Sequence, residues 1–360
     1  MHRRAFLSIA AASAAMAETN VGQVFQSEFR KYGDPATELE VIRLTNPENS
    51  TLLPAPSQRA VSRKSAFLLC SSERSGSLQA MRIDLKSGQL RQLTQVAALD
   101  PRSPTLLPDE RGFCFFDGPS LRQAGFSLRE REVYRIPDAF TRTAGFNLGD
   151  DGVNAVFFER QQNNSRLRVV HMAKGDAATV LELKAEASDP VIRPKRTQIL
   201  YRQADGSLWL VNMDGKQNRQ LKTEPGITGP ARWAPGGRTI LYLHFPQDTS
   251  QLVTLREHTP DENADKLVAK TSQFSGFGSN GDGSVFVGAS RSKASPNILI
   301  LLRSVKRELT LCEHKATDPA QVEPIFSPNS QDIFFQSDRH GKPAIYRVKV
   351  ERFVEETDEG

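Results

Sequence analysis

The chain has 360 residues, 47 Lys and Arg against 42 Asp and Glu, and 38% apolar residues. This is enough chain for two ordinary domains or one large all-β unit of globular composition, and no segment is biased enough to act as a linker. A net charge of +5 favours an acidic small ligand over a basic one. There is no Lys/Arg-dense helix or aromatic–basic alternation that would make a nucleic-acid footprint.

The elements follow in chain order. His2-Arg3-Arg4 is a positive n-region, Phe6 to Met16 a short apolar run, and Ala15-Met16-Ala17 a small-x-small cleavage pattern, so residues 1–17 are expected to be a signal peptide. Arg3-Arg4 followed by Ala5-Phe6-Leu7 resembles a twin-arginine signal, which carries a folded protein. The expected location is therefore periplasmic or extracellular. The apolar run is too short to cross a bilayer as a helix. Residues 18–38 form a polar extension that is mobile or wraps the outside, and Leu39 to Thr45 is a lone strand ahead of the first full repeat.

The remainder is periodic. Val61, Pro108, Asp150, Pro194, Pro235, Asn280 and Pro328 each precede a β-branched or aromatic run such as Phe113-Cys114-Phe115-Phe116 or Thr239-Ile240-Leu241-Tyr242. These seven anchors recur at roughly 41 to 48 residues, the period of a four-stranded propeller blade. A β-sandwich would give short strands with no longer period, and apolar residues at helical spacing are nearly absent. Strands are expected at 67–71, 78–85 and 91–94, at 112–117 and 132–136, and at 153–159, 166–172 and 179–183. They continue at 199–202, 207–212 and 218–222, at 240–244 and 252–257, and at 285–288 and 297–302. Residues 258–265 read as a polar loop. The final unit, Glu323 to Val350, holds a Ser-Pro-Asn-Ser turn, a strand from Asp332, the Asp338-Arg339-His340-Gly341 turn and a strand from Ala344. The fold expected is all-β, a seven-bladed propeller over 39–360, with the N-terminal strand completing the last blade so that only short edges remain.

Cys70, Cys114 and Cys312 are odd in number and widely separated inside apolar strands. They fit neither a disulfide framework nor a metal site, and are expected to be small buried hydrophobes. G-x-S-x-G, H-E-x-x-H and a phosphate-cradling Gly loop are all missing from the sequence.

Several phrases resemble the oligogalacturonate lyases, propellers that split pectin fragments. They are Glu40 to Thr45, Arg82 to Gly88, Leu208 to Gly215, Trp233-Ala234-Pro235-Gly236-Gly237, and the closing run from Phe326 through Ser337-Asp338 and Gly341 to Ala344, ending at Tyr346. The resemblance implies β-elimination on a uronate. A divalent metal, usually manganese, binds the substrate carboxylate and absorbs the enolate charge while a base removes the adjacent proton. The family's Q-x-x-H-x-H ligands align with Asp318, Gln321 and Glu323. Its histidine ahead of the W-x-P-D-G phrase aligns with Gly229 to Arg232, and another family histidine with about Arg202.

Asp318, Gln321 and Glu323 then either hold a hard cation through oxygen or are solvated residues at the funnel mouth. Arg202 is the catalytic candidate, as a carboxylate clamp or an unusual base. Asp189, Arg232 and His244 are candidates for substrate binding. Two functions follow. One is eliminative cleavage of acidic, pectin-derived oligosaccharides at a diverged site, with manganese if the family chemistry is retained. The other is an inactive propeller that binds a glycan or a protein partner. Neither nucleic acid nor a membrane span is expected.

Overall fold

The structure is a computed structural model that describes residues 20–357; the expected signal peptide lies outside the described residues. Seven antiparallel sheets of four or five strands follow one another along the chain. Among the described residues there is no α-helix, only a 3-10 turn at Pro319–Gln321. In each blade the second strand from the hub carries a buried, mostly apolar stretch, as in Phe67–Ser72, Gly112–Asp117 and Val285–Ser290. Such a strand is covered on both faces by neighbouring blades, and that is why it lacks the apolar–polar alternation of a half-exposed sheet.

The packing shows that the ring is closed. The buried apolar residues divide into seven clusters, and each cluster joins two successive blades. The cluster that unites last and first pairs Phe334 and Ile345 with Leu68, Cys70 and Met81. At about 1.5–3 kcal/mol for each large apolar side chain removed from water, these seams supply most of the driving force. The three cysteines are free and buried within seams, and burial pushes the Cys114 thiol up to about 12. They therefore act as packing atoms.

Closure uses the N-terminal strand as expected. Glu40–Arg43 pairs with Ala344–Lys349, with Val41 opposite Val348 and Arg43 opposite Tyr346. The preceding segment also contributes strands. Val24–Phe25 adds to the outer edge of blade 1 through Leu90–Gln92, and Arg30–Gly33 forms the outermost strand of blade 7. Buried Asp34 fixes the turn between the two blade 7 strands. Its Oδ1 accepts from the amides of Ala36 and Thr37, and its Oδ2 accepts from the Glu313 amide at 2.9 Å.

Two local expectations are corrected. Residues 258–265 form a hairpin, not a loop: the strands Thr254–Thr259 and Ala264–Lys270 flank a short turn, and His258 is fully buried. Blade 2 also has a strand at Ser120–Gly125. Its polar residues hid it, because pairing with Gly112–Asp117 on one side and Glu130–Arg135 on the other supplies order that side-chain propensity does not.

Candidate functional site

The innermost segments of all seven blades surround a central funnel of about 850 Å³. Irregularities in the inner strands aim residues into it. Pairing register slips between Ser188 and Val191 in blade 4, between Thr228 and Ala231 in blade 5, and between Phe274 and Gly276 in blade 6. A bulge frees residues from the ladder and redirects their side chains, a device common beside active sites. Asp189 sits on the first of these with φ of 52°. Its backbone presses on Gly145, where an added Cβ would stand 2.5 Å from the Asp189 Cα.

Four arginines line the funnel, Arg102, Arg142, Arg202 and Arg232, against three carboxylates, Asp100, Asp189 and Glu323. Two of the arginines are paired. Arg102 of blade 2 grips Glu323 of blade 7 through both carboxylate oxygens, with Nη2 donating to Oε1 at 2.6 Å. Burial lowers the Arg102 pKa, and the hydrogen bond and charge of Glu323 outweigh it, so the net shift is upward. Arg142 binds Asp100 and lies over the Phe116 ring, 4.3 Å from its centroid.

The other two arginines differ from these and from each other. Arg202 Nη1 donates to the carbonyls of Gly206 and Thr228 at 2.7 and 2.8 Å, and Nη2 donates to Gly229 at 2.6 Å. It thus braces blade 4 against blade 5, with its donors turned to backbone oxygen. Burial lowers its pKa and nearby Asp189 opposes that shift. Arg232 lies 4.6 Å from the Phe277 ring centroid, and its buried Nε has no hydrogen-bond partner among the described residues. Burial pushes its pKa down to about 10, with the charge of Glu323 acting in the opposite sense.

The structure gathers Asp189, Arg202, Arg232 and Glu323 around the funnel and places the remaining candidates elsewhere. His244 does not line the funnel. Its Nε2 is 2.9 Å from the Pro225 carbonyl and its Nδ1 is 3.3 Å from Thr254 Oγ1, so the ring secures the Pro225–Gly226 turn. Gly226, at φ of 141°, leaves the space that Nε2 fills. Asp318 caps the 3-10 turn by accepting from the Ala320 amide at 3.0 Å. Gln321 is exposed, and its carbonyl accepts from Gln336 Nε2.

These residues do not fit the divalent cation that the family resemblance implies. No group of three or more His, Cys, Asp or Glu is placed to hold a metal among the described residues. The one funnel carboxylate at the aligned ligand positions, Glu323, already has both oxygens on a guanidinium. Sequence reasoning missed Arg102, Arg142, Asp100 and Gln58. They lie between three and eight residues ahead of their blades' turn anchors, in the same stretch as Asp189, Arg232 and Glu323, so the stretch is marked in the sequence and the individual residue is not.

No family model matches the chain. It is 22% identical to the oligogalacturonate lyase of Dickeya dadantii over 91% of this chain and 98% of that protein. It is also 22% identical to the oligogalacturonide lyase of Pectobacterium atrosepticum over 89% and 96%. Two solved structures share the fold. One is an oligogalacturonate lyase in complex with manganese, with a TM-score of 0.87 at 22% identity over 92% of this chain and 98% of that one. The other is the oligogalacturonate lyase of Vibrio parahaemolyticus, with a TM-score of 0.86 at 22% identity over the same shares. The resemblance read from the sequence phrases therefore runs the length of the chain.

Proposed function

We propose that this chain, an oligogalacturonate lyase-like propeller, holds acidic, pectin-type oligosaccharides in its central funnel. The observation that carries the reading is the excess of guanidinium over carboxylate in a concave site lined by every blade. A guanidinium matches a carboxylate in shape as well as charge, and the wall also offers the exposed Ser57 hydroxyl for sugar contacts. The volume lies within the range of small-molecule sites.

Eliminative cleavage at this site is a second reading, and one observation favours it. Asp100 and Glu323 are bound to arginines, whereas among the described residues the Asp189 carboxylate accepts only from its neighbour Ser188 Oγ, at 2.9 Å. Asp189 then removes the proton beside the uronate carboxylate. That electron pair forms the new double bond, and the leaving sugar oxygen departs with a proton from water.

The test is to mix the purified protein with di- and trigalacturonate, with and without manganese, measuring heat of binding and ultraviolet absorbance of the unsaturated uronate. Binding heat is expected for the acidic sugars and not for neutral galactose oligomers. Absorbance that grows with time assigns cleavage as well; silence in both channels overturns the proposal.

Export is part of the same reading. What supports it is the n-region, apolar run and Ala15-Met16-Ala17 pattern, with the fold anchored from Asn20 onward, whose amide donates to Gln95 Oε1 at 2.7 Å. N-terminal sequencing of protein recovered from the periplasm should begin at Glu18; full-length protein retained in the cytoplasm contradicts it.

A further inference from the structure

The outer strands of blade 7 set two arginines against each other. Arg30 and Arg43 are directly opposite in the pairing of Arg30–Gly33 with Glu40–Arg43, and such partners share one face of a sheet, where like charges repel. Arg43 is in turn opposite Tyr346, whose hydroxyl is 2.8 Å from His340 Nδ1. Tyr32, on the same face as Arg30, draws in the Asp338-Arg339-His340-Gly341 turn. The Arg339 guanidinium lies 5.4 Å from the Tyr32 ring centroid, and the His340 ring meets Tyr32 edge-on at 5.8 Å. Arg30, Arg43, Arg339 and His340 thus come together from both partners of the ring closure, and none of them lines the funnel.

Among the described residues no carboxylate answers this charge, because those of the same segments are taken. Glu40 is held by Lys31 at 3.2 Å, Glu313 by Lys315, Asp34 by the amides of Ala36, Thr37 and Glu313, and Asp338 by the Thr317 amide at 2.8 Å. The cationic donors, by contrast, are open. Arg30 and His340 are exposed. Arg43 and Arg339 are half-buried. The Arg43 guanidinium makes no hydrogen bond among the described residues and only its Nε is sealed from solvent, while Arg339 uses Nη1 alone, on the Glu313 carbonyl. Burial lowers the pKa of His340, and the charges of Arg339 and Arg43 lower it further.

We propose that these side chains form a binding site for a tetrahedral dianionic group, a sulfate or phosphate carried as the free ion or as an ester, that locks the ring closed. A carboxylate presents two oxygens in one plane and fills one guanidinium fork. A tetrahedral oxyanion presents acceptors in several directions and carries about two charges, which suits forks and an imidazole arriving from different segments. The bound group answers the Arg30–Arg43 repulsion and ties the N-terminal strands to the turn of the final hairpin. The groups facing the His340 ring are Arg339 of its own turn, Arg43, and the phenols of Tyr32 and Tyr346. An anion there opposes both guanidinium charges, so the imidazole gains a proton as the anion binds and affinity falls as pH rises.

The test titrates the full chain by calorimetry with sulfate, phosphate and a galactose sulfate ester, at ionic strength fixed with sodium chloride. Arg43→Met and Arg339→Met are expected to weaken sulfate at least about tenfold. Wild-type affinity for sulfate should fall about threefold or more between about pH 5.5 and about pH 8, a dependence that His340→Gln removes. Arg30→Glu supplies the negative charge from within, so it should melt above the wild type in sulfate-free buffer and lose the wild type's response to sulfate. Sulfate raises melting temperatures generally by exclusion, and the response is therefore read as the difference between variant and wild type. The Arg30 side chain makes no hydrogen bond among the described residues, so this variant decides if the other arginine variants do not fold.

Free ions bound without the ester assign the site to an inorganic ion, and an ester bound as well assigns it to a group on a larger molecule; both keep the proposal. Absence of binding by every probe overturns it. So does sulfate held equally by the wild type and the arginine variants, which places the anion elsewhere, the funnel included. An Arg30→Glu chain that melts no higher than the wild type and responds to sulfate as fully also overturns it.

Discussion

Replacing Glu323 by Gln separates what the funnel does for stability from what it does for ligands. The Arg102–Glu323 pair spans blades 2 and 7, with side chains 36% and 19% exposed. An exposed pair contributes about 0.2–1 kcal/mol, and loss of one partner from a fully buried pair costs about 3–5 kcal/mol. Partial exposure places this pair between those limits, at about 1–2 kcal/mol. For a chain of this size that corresponds to a fall in Tm of about 1–3 °C. The same change frees the Arg102 guanidinium to face the funnel and removes a negative charge that an acidic ligand must approach. Affinity for trigalacturonate should therefore rise, by up to about tenfold, or about 1.4 kcal/mol. Scanning calorimetry and titration of one preparation give both values. A variant that melts with the wild type, or that loses both stability and affinity, would refute the reasoning.

Three further predictions follow from the fold and the site. Gly145 has φ of 87° and faces the Asp189 backbone, so Gly145→Ala should cost about 1–3 kcal/mol and displace Asp189. An unchanged melt together with unchanged galacturonate affinity would contradict this. All five tyrosines, Tyr32, Tyr134, Tyr201, Tyr242 and Tyr346, have pKa values raised chiefly by burial, Tyr32 to about 12. Because the folded values lie above the unfolded ones, this contribution to stability is intact below about pH 10 and is lost as pH rises above it. Tyrosinate absorbance should thus appear together with unfolding in an alkaline titration; smooth ionisation near pH 10 in folded protein would count against it. A chain starting after Arg43 lacks the strands that join the last blade and grip blade 1. It should lose its cooperative melt, whereas a two-state transition near that of the intact chain would show that closure is not needed.

The fold was legible because strands covered on both faces must be apolar throughout, and such runs recur after each turn anchor. Closure by the N-terminal strand was legible for a related reason: Leu39 to Thr45 reads as a lone strand ahead of the first full repeat, and the final unit ends short of a full blade. The site was only partly legible. Arg232 and Glu323 could be placed because they align with ligand positions of the family the chain resembles, and Asp189 because it stands in the turn that opens blade 4, yet the sequence gives no hint that Glu323 is taken by Arg102, 221 residues away in the chain. His244 misled because a histidine ending a strand looks the same whether its ring faces a cavity or, as here, a turn carbonyl. Gln58 was invisible, since a single glutamine gains meaning only when a buried oxygen is left without a donor.

Two strands far apart in the chain lie side by side, Glu40–Arg43 against Ala344–Lys349. The ribosome makes the first of these strands long before the second, so the earlier strand must wait, its edge open, until the later one has emerged. Blade 7 cannot form before then. Ring closure is therefore a late step of high contact order, and a chain cut short of Ala344–Lys349 is left as an open arc with two sticky edges.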